Sequence, residues 1–259
     1  MRNLLTFCLI LLSLGSVAQQ PAGGGAAGAH TFNTERGALR LIPIEHASHI
    51  WQWNGLTLWV DPAGDPSLYQ NQPRPDLILI TDIHGDHMDK KLLGSMKLEG
   101  VALIAPSAVV DHLDSLPFSQ IYRLANGERL YWRDIDMRAL PMYNLPDPND
   151  ARHPKGRGNG YVLRFDNIKA YISGDTEGIP EMRQLRDIDV ALVCMNLPYT
   201  MDVEQAASAV LDFKPEIVYP YHYRGRPDFS NIEKFKQLVN EESSRIEVRL
   251  AEWYPNRTN

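Results

Sequence analysis

Four short runs of unbroken apolar residues constrain this chain more than any other feature: DLILIT (76–81), VALIA (101–105), DVALVC (189–194) and EIVYP (216–220). A strand that is apolar without alternation has both faces buried, so it sits inside a layered sheet covered on each side. The intervening segments supply the cover. A helix is expected from Met88, another from near Ser107, and a third over VEQAASAVLDFK. For the third, Asp202 with Gln205 three residues on reads as an N-terminal cap and Pro215 as the stop. NIEKFKQLVNEE is a late amphipathic helix. Hairpins are expected where HIWQW and LTLWV flank Asn54-Gly55, and where GYVLRF and IKAYIS meet across Asp166-Asn167. Trp51, Trp53 and Trp59 are then packing residues. The second half repeats the order of the first. The pattern predicts an α/β chain of two mixed sheets packed face to face, with helices outside.

The N-terminal segment reads differently. Arg2, the run Leu4 to Leu14, and Ser16-Val17-Ala18 have the order of a secretory signal peptide over 1–18, too short to span a bilayer as a helix. Residues 19–39 are read as a flexible tether and 40–259 as the folded domain, destined for the periplasm or for secretion. Removal of Cys8 leaves Cys194, which lies in an apolar run and is expected to be a core residue. With 26 basic against 32 acidic residues the net charge is −6, which argues against nucleic acid as a partner and leaves any basic feature to act locally. No later segment is apolar enough for a transmembrane helix.

The chemistry concentrates at TDIHGDHMD (81–89), directly after DLILIT. Asp82, His84, Asp86 and His87 place four potential ligands within six residues. Alternation aims 82, 84 and 86 to one side, and Gly85 allows a turn that brings His87 alongside. Asp175 follows the strand IKAYIS and His222 follows EIVYP. Three apolar strands ending in such residues imply one site at the carboxyl edge of a sheet. Imidazole and carboxylate together suit zinc, manganese or iron.

DIHGDH resembles the H-x-H-x-D-H signature of the metallo-β-lactamase superfamily. SGDT resembles its bridging-aspartate motif, and the histidine of PYHYRG its last ligand. EHASHIWQWNGLTLWVDP is similar to the opening hairpin of its lactonase-like branch, which includes L-ascorbate-6-phosphate lactonase and an N-acyl-phosphatidylethanolamine phospholipase D. The resemblance implies a four-layer αββα sandwich and a metal-dependent hydrolase. Carried over by position, Asp86, His87, Asp175 and His222 form one complete ligand set, with Asp175 able to bridge. Asp86 and Asp175 are the implied catalytic carboxylates. The second set departs from the pattern, with Asp82 in place of a histidine, Asn144 at the position of a mid-chain histidine, and His84 remaining. One tightly held ion, zinc first, with a second and weaker one, is therefore expected. His46 matches the histidine of the branch's opening motif.

Metal-activated water acting on an ester, lactone or phosphodiester bond of a small-molecule substrate is the activity that follows. Lys155 and Arg157 in the loop HPKGRGNGY, with Arg224, are expected to read an anionic group on that substrate. Tyr143, Asn144 and Tyr221 are candidates to line the site. Two alternatives stand beside hydrolysis: a di-iron redox protein, and a non-catalytic metal-binding module with a depleted second set.

Overall fold

The computed structural model describes residues 28–146 and 151–255. The signal peptide, Cys8 and the first part of the tether lie outside these residues. The first sheet is built of seven strands in chain order: β1 (His30–Thr34), β2 (Gly37–Glu45), β3 (Ser48–Trp53), β4 (Leu56–Val60), β5 (Leu77–Leu79), β6 (Ala102–Ala105) and β7 (Gln120–Arg123). The second is also seven-stranded, and its spatial order runs backwards: β14 (Glu247–Val248), β13 (Ile217–Tyr221), β12 (Val190–Cys194), β11 (Ile168–Ile172), β10 (Gly158–Phe165), β9 (Ile135–Met142) and β8 (Arg129–Trp132). In each, the first four strands are antiparallel and the last four parallel. The repetition of one half by the other is thus a repetition of topology.

The five α-helices of the described residues are short: α1 (Lys90–Ser95), α2 (Ser107–Leu113), α3 (Pro180–Arg183), α4 (Val203–Phe213) and α5 (Ile232–Glu242). Helix α1 starts two residues later than expected, because the Asp89 side chain accepts from the amides of Lys91 and Leu92 and so caps it there. For α4 the Asp202 cap is as read, with Lys214 in a left-handed turn before Pro215. The Leu92, Leu93, Val109 and Val110 side chains of α1 and α2 cover Ile50, Ile78 and Leu103 on the outer face of the first sheet. Between the sheets lies the larger core, which holds Trp51 and Trp53 at no more than 1% exposure. Cys194 is a buried free thiol, and burial pushes it up to about 11.

The tether assignment over 19–39 needs correction. Residues 30–34 form β1, which pairs with β2 from His30–Leu41 to Thr34–Gly37. Phe32 is 7% exposed and its ring stands 6.3 Å from that of Trp51. One aromatic residue among polar neighbours is enough to hold an edge strand when it covers a tryptophan.

Candidate metal centre

Carboxyl ends of strands from both sheets meet along one seam. His46 follows β2, Asp61 follows β4, residues 82–87 follow β5, Asp175 follows β11, Asn196 follows β12 and His222 follows β13. His46, Asp61 and His222 have φ of 56°, 47° and 48°. Such left-handed backbone costs a non-glycine residue energy and persists where surrounding structure imposes it. Here it turns the chain sharply at the strand end. Gly174 also lies at φ 61°, and a Cβ there would stand 2.7 Å from Met142 Sδ. The glycine of SGDT therefore lets the end of β11 approach β9 closely enough to deliver Asp175.

Side-chain donors gather into two sets that share Asp175. The first contains Asp82, His84, His153 and Asp175. His84 Nδ1 is 2.5 Å from Asp82 Oδ2, and His153 Nε2 is 3.1 Å from Asp175 Oδ2. The second unites His87, Asp175 and His222, and overlaps a third cluster of His46, Asp86 and His222. His222 Nε2 lies 3.2 Å from Asp175 Oδ1 and 3.6 Å from Asp86 Oδ2, and His87 Nε2 is 3.3 Å from Asp175 Oδ2.

Supporting bonds fix these groups. His87 Nδ1 and the Thr81 hydroxyl both lie on Asp61 Oδ2, at 2.9 and 2.7 Å, while the Thr81 amide donates to Asp61 Oδ1. A carboxylate behind the imidazole holds the proton on Nδ1 and turns Nε2 towards the centre. His46 is placed between the Tyr254 hydroxyl, 2.6 Å from Nδ1, and Asp86, 3.2 Å from Nε2.

The electrostatics match a cation site. Burial opposes ionisation of Asp175, yet the charges of His222 and His87 hold its carboxyl well below the usual range. Burial likewise opposes Asp86, and the His46 bond with His87 and His222 outweighs it. For His222, burial dominates and lowers it to about 3. His84 Nδ1, His153 Nε2 and Asp175 Oδ1 are buried close to other members of the cluster yet make no aligned hydrogen bond, and Nε2 of His87 faces Nε2 of His222 at 3.0 Å. Unpartnered lone pairs converging in this way are costly unless a cation lies among them. The donor sets fit a divalent ion in each.

Asp82, His84, Asp86, His87, Asp175 and His222 thus come together as one cluster, with His46 beside it. The expected gap at Asn144 is not there. His153, read from sequence only as part of a basic loop, stands in the first set. Asn144 instead holds that loop: its Oδ1 accepts from the His153 amide, its own amide donates to His153 O, and its Nδ2 donates to Tyr199 O. The expectation of a depleted set is therefore corrected, since His153 completes four donors. Tyr143 does not line the site, because its hydroxyl donates to Glu181. Tyr221 is fully buried and accepts from the Gly174 amide.

The basic residues separate. Above the second set opens a pocket of about 350 Å³ whose wall includes His46, Asp86, Arg152, Asn196, Arg224 and Arg226. Arg224 is there as expected, whereas Arg152, Arg226 and Asn196 were not read from the sequence. Among the described residues none pairs ionically with these three arginines. Asn196 Oδ1 is buried without a partner. Arg157 turns inward to Asp82, 3.3 Å away. Lys155 points elsewhere, 2.7 Å from Glu181. Neither forms part of the pocket wall.

A family model for the β-lactamase superfamily domain matches residues 40–222. The chain is 27% identical over 186 residues to a UPF0173 metal-dependent hydrolase of Pyrococcus horikoshii, covering 68% of this chain and 80% of that one. A UPF0173 metal-dependent hydrolase of Methanopyrus kandleri is 25% identical over 224 residues, 83% and 97% of the two chains. A crystal structure from Parabacteroides distasonis, of a protein described as a metal-dependent hydrolase, superposes with a TM-score of 0.77. It is 36% identical and covers 87% of this chain and 99% of that chain.

Proposed function

The chain belongs to the β-lactamase superfamily and is a metal-dependent hydrolase, and on that premise we propose that it cleaves an ester, lactone or phosphodiester bond of a small anionic substrate at a centre of two divalent ions. Asp82, His84, His153 and Asp175 would hold one ion. Asp86, His87, Asp175 and His222 would hold the other, with His46 oriented on Asp86. Zinc leads, with manganese or iron as alternatives suited by the two carboxylates in each set. A divalent ion in such surroundings supplies Lewis-acid chemistry, making water acidic enough to act near neutral pH and drawing charge from the oxygen of the bond to be cleaved.

The protein's own residues do the rest. Asp61 and Thr81 lock the His87 tautomer. Asp86 has 39% of its side chain exposed on the pocket wall, where a free lone pair can orient a water at the scissile bond. Arg152, Arg224 and Arg226 bind and orient the anionic part of the substrate, and Asn196 offers its unpartnered amide to a substrate hydroxyl or amide hydrogen. The observation that carries this reading is the sharing of Asp175 by two donor sets beneath a pocket walled by three unpaired arginines. The non-catalytic alternative rested on a depleted set, and His153 removes that support. Export through residues 1–18 belongs to the same proposal, with the mature chain expected to begin near Gln19.

Elemental analysis together with a panel of matched neutral and anionic esters, lactones and phosphodiesters tests the assignment. About two ions per chain and cleavage favouring an anionic member are expected. Oxygen consumption by iron-loaded protein that cleaves nothing would instead select the redox reading.

A further inference from the structure

A second basic cavity lies away from the metal centre. Among the described residues no long helix covers the outer face of β8 to β10, and the short α3 meets β9 there. Between that face and residues 181–188 runs a groove of about 850 Å³. Its wall carries six cations, among them Arg129, Arg138, Arg164 and Lys169, against the two carboxylates Asp136 and Glu181. In a chain of net charge −6 such an excess is conspicuous.

Register sharpens the point. Arg129 stands directly opposite Arg138 across β8 and β9, and Arg164 directly opposite Lys169 across β10 and β11. Like charges in opposed positions destabilise a sheet. Partial relief comes from within: Arg129 is bonded by Asp136, and Lys169 reaches Asp187 at 3.7 Å. Arg138 has no ion-pair partner among the described residues, and Arg164, although opposite Asp136 across β9 and β10, leaves that carboxylate to Arg129 while its Nε donates to the carbonyl of Asp166. Two cation pairs, each short of anions, remain on one wall.

We propose that this groove binds a small molecule bearing two phosphate groups, one at each cross-strand pair. The volume lies in the range of small-molecule sites, roughly 300–1,000 Å³. Guanidinium forks match phosphate oxygens in pairs. With strands about 4.8 Å apart, the two pairs are on the order of 10 Å from each other, the span of a compact bisphosphate. The chain's overall negative charge repels an extended polyanion at long range, which disfavours nucleic acid, whereas a small dianion meets only the local field. Lys155 of the sequence-predicted basic loop also belongs to this wall and not to the catalytic pocket.

Calorimetric titration of the full metal-loaded protein with fructose 1,6-bisphosphate and with inorganic phosphate tests the proposal. The bisphosphate should bind at least tenfold tighter than phosphate. Arg138→Ser combined with Arg164→Ser should weaken it at least tenfold, and Arg226→Gln in the catalytic pocket should not. Relief of the like-charge pairs should leave the double variant's melting temperature at or above that of the parent. Should the double variant fail to fold, Arg138→Gln and Arg164→Gln made singly carry the same comparison, each with a threefold or greater loss. The proposal is overturned if the groove variants bind the bisphosphate as tightly as the parent, if Arg226→Gln abolishes binding, or if bisphosphate binds no better than phosphate.

Discussion

His153 is the residue on which the proposed second ion rests. If it ligates, His153→Ala should remove about one equivalent of metal and most of the activity, whereas His112→Ala, on the exposed surface of α2, should change neither; elemental analysis beside a rate assay reads both. Behind the ligands, Asp61→Asn takes the charge from His87 and should weaken metal binding about 10–100-fold, measurable by competition with a chelator. His49 gives a different kind of test. Fully buried against Tyr221, Trp51 and Trp253, it is lowered to about 4 by burial. Between pH 6.5 and 4 the unfolded chain takes up a proton there that the native protein refuses. Stability is therefore lost as pH falls through that window, by at most about 3 kcal/mol. Urea unfolding of His49→Gln should show a flatter slope than the parent over this window, and parallel slopes would refute the cause. These residues differ in how far the sequence announces them. Asp82 to His87, Asp175 and His222 follow apolar strands within a few positions, so strand ends point to them. His153 lies nine residues beyond Asn144, and a backbone bond from the Asn144 amide to its carbonyl and a bond from its own amide to Asn144 Oδ1 tie it to the seam.

At the scale of elements the apolar runs and the turn dipeptides were enough to place β3 to β6 and β10 to β13, because burial on both faces and left-handed turns leave few alternatives. What escaped was whatever depends on a distant partner. β1 exists through Phe32 covering Trp51, and its own composition is polar. Residues 151–157 are another such segment, held by the Asn144 side chain on the His153 amide and by Arg157 on Asp82. Asn144→Ala leaves the His153 amide and Tyr199 carbonyl short of partners, at about 1–3 kcal/mol. It should lower the melting temperature modestly and loosen one ion. In a metal titration the two binding steps of the parent should separate in this variant, with the weaker step lost first on dialysis.

Across the whole molecule the centre joins two repeated halves. Strands of the first carry His46, Asp82, His84, Asp86 and His87, and the second supplies His153, Asp175 and His222. Ions bound by the native arrangement and not by the unfolded chain stabilise it by mass action, about 4 kcal/mol when free metal exceeds the dissociation constant a thousandfold. Chelation should accordingly lower the melting temperature by several degrees, restored by zinc. The same seam has a temporal meaning. During synthesis Asp82 is made early and Asp175 and His222 late, so the first donor set lacks a member until residue 175 and the second until residue 222, and each needs both sheets to close on each other. Which metal the protein acquires would then be set by the ions present where folding finishes, not where translation begins. A chain that completes its fold after leaving the ribosome's compartment would carry the metal of its destination.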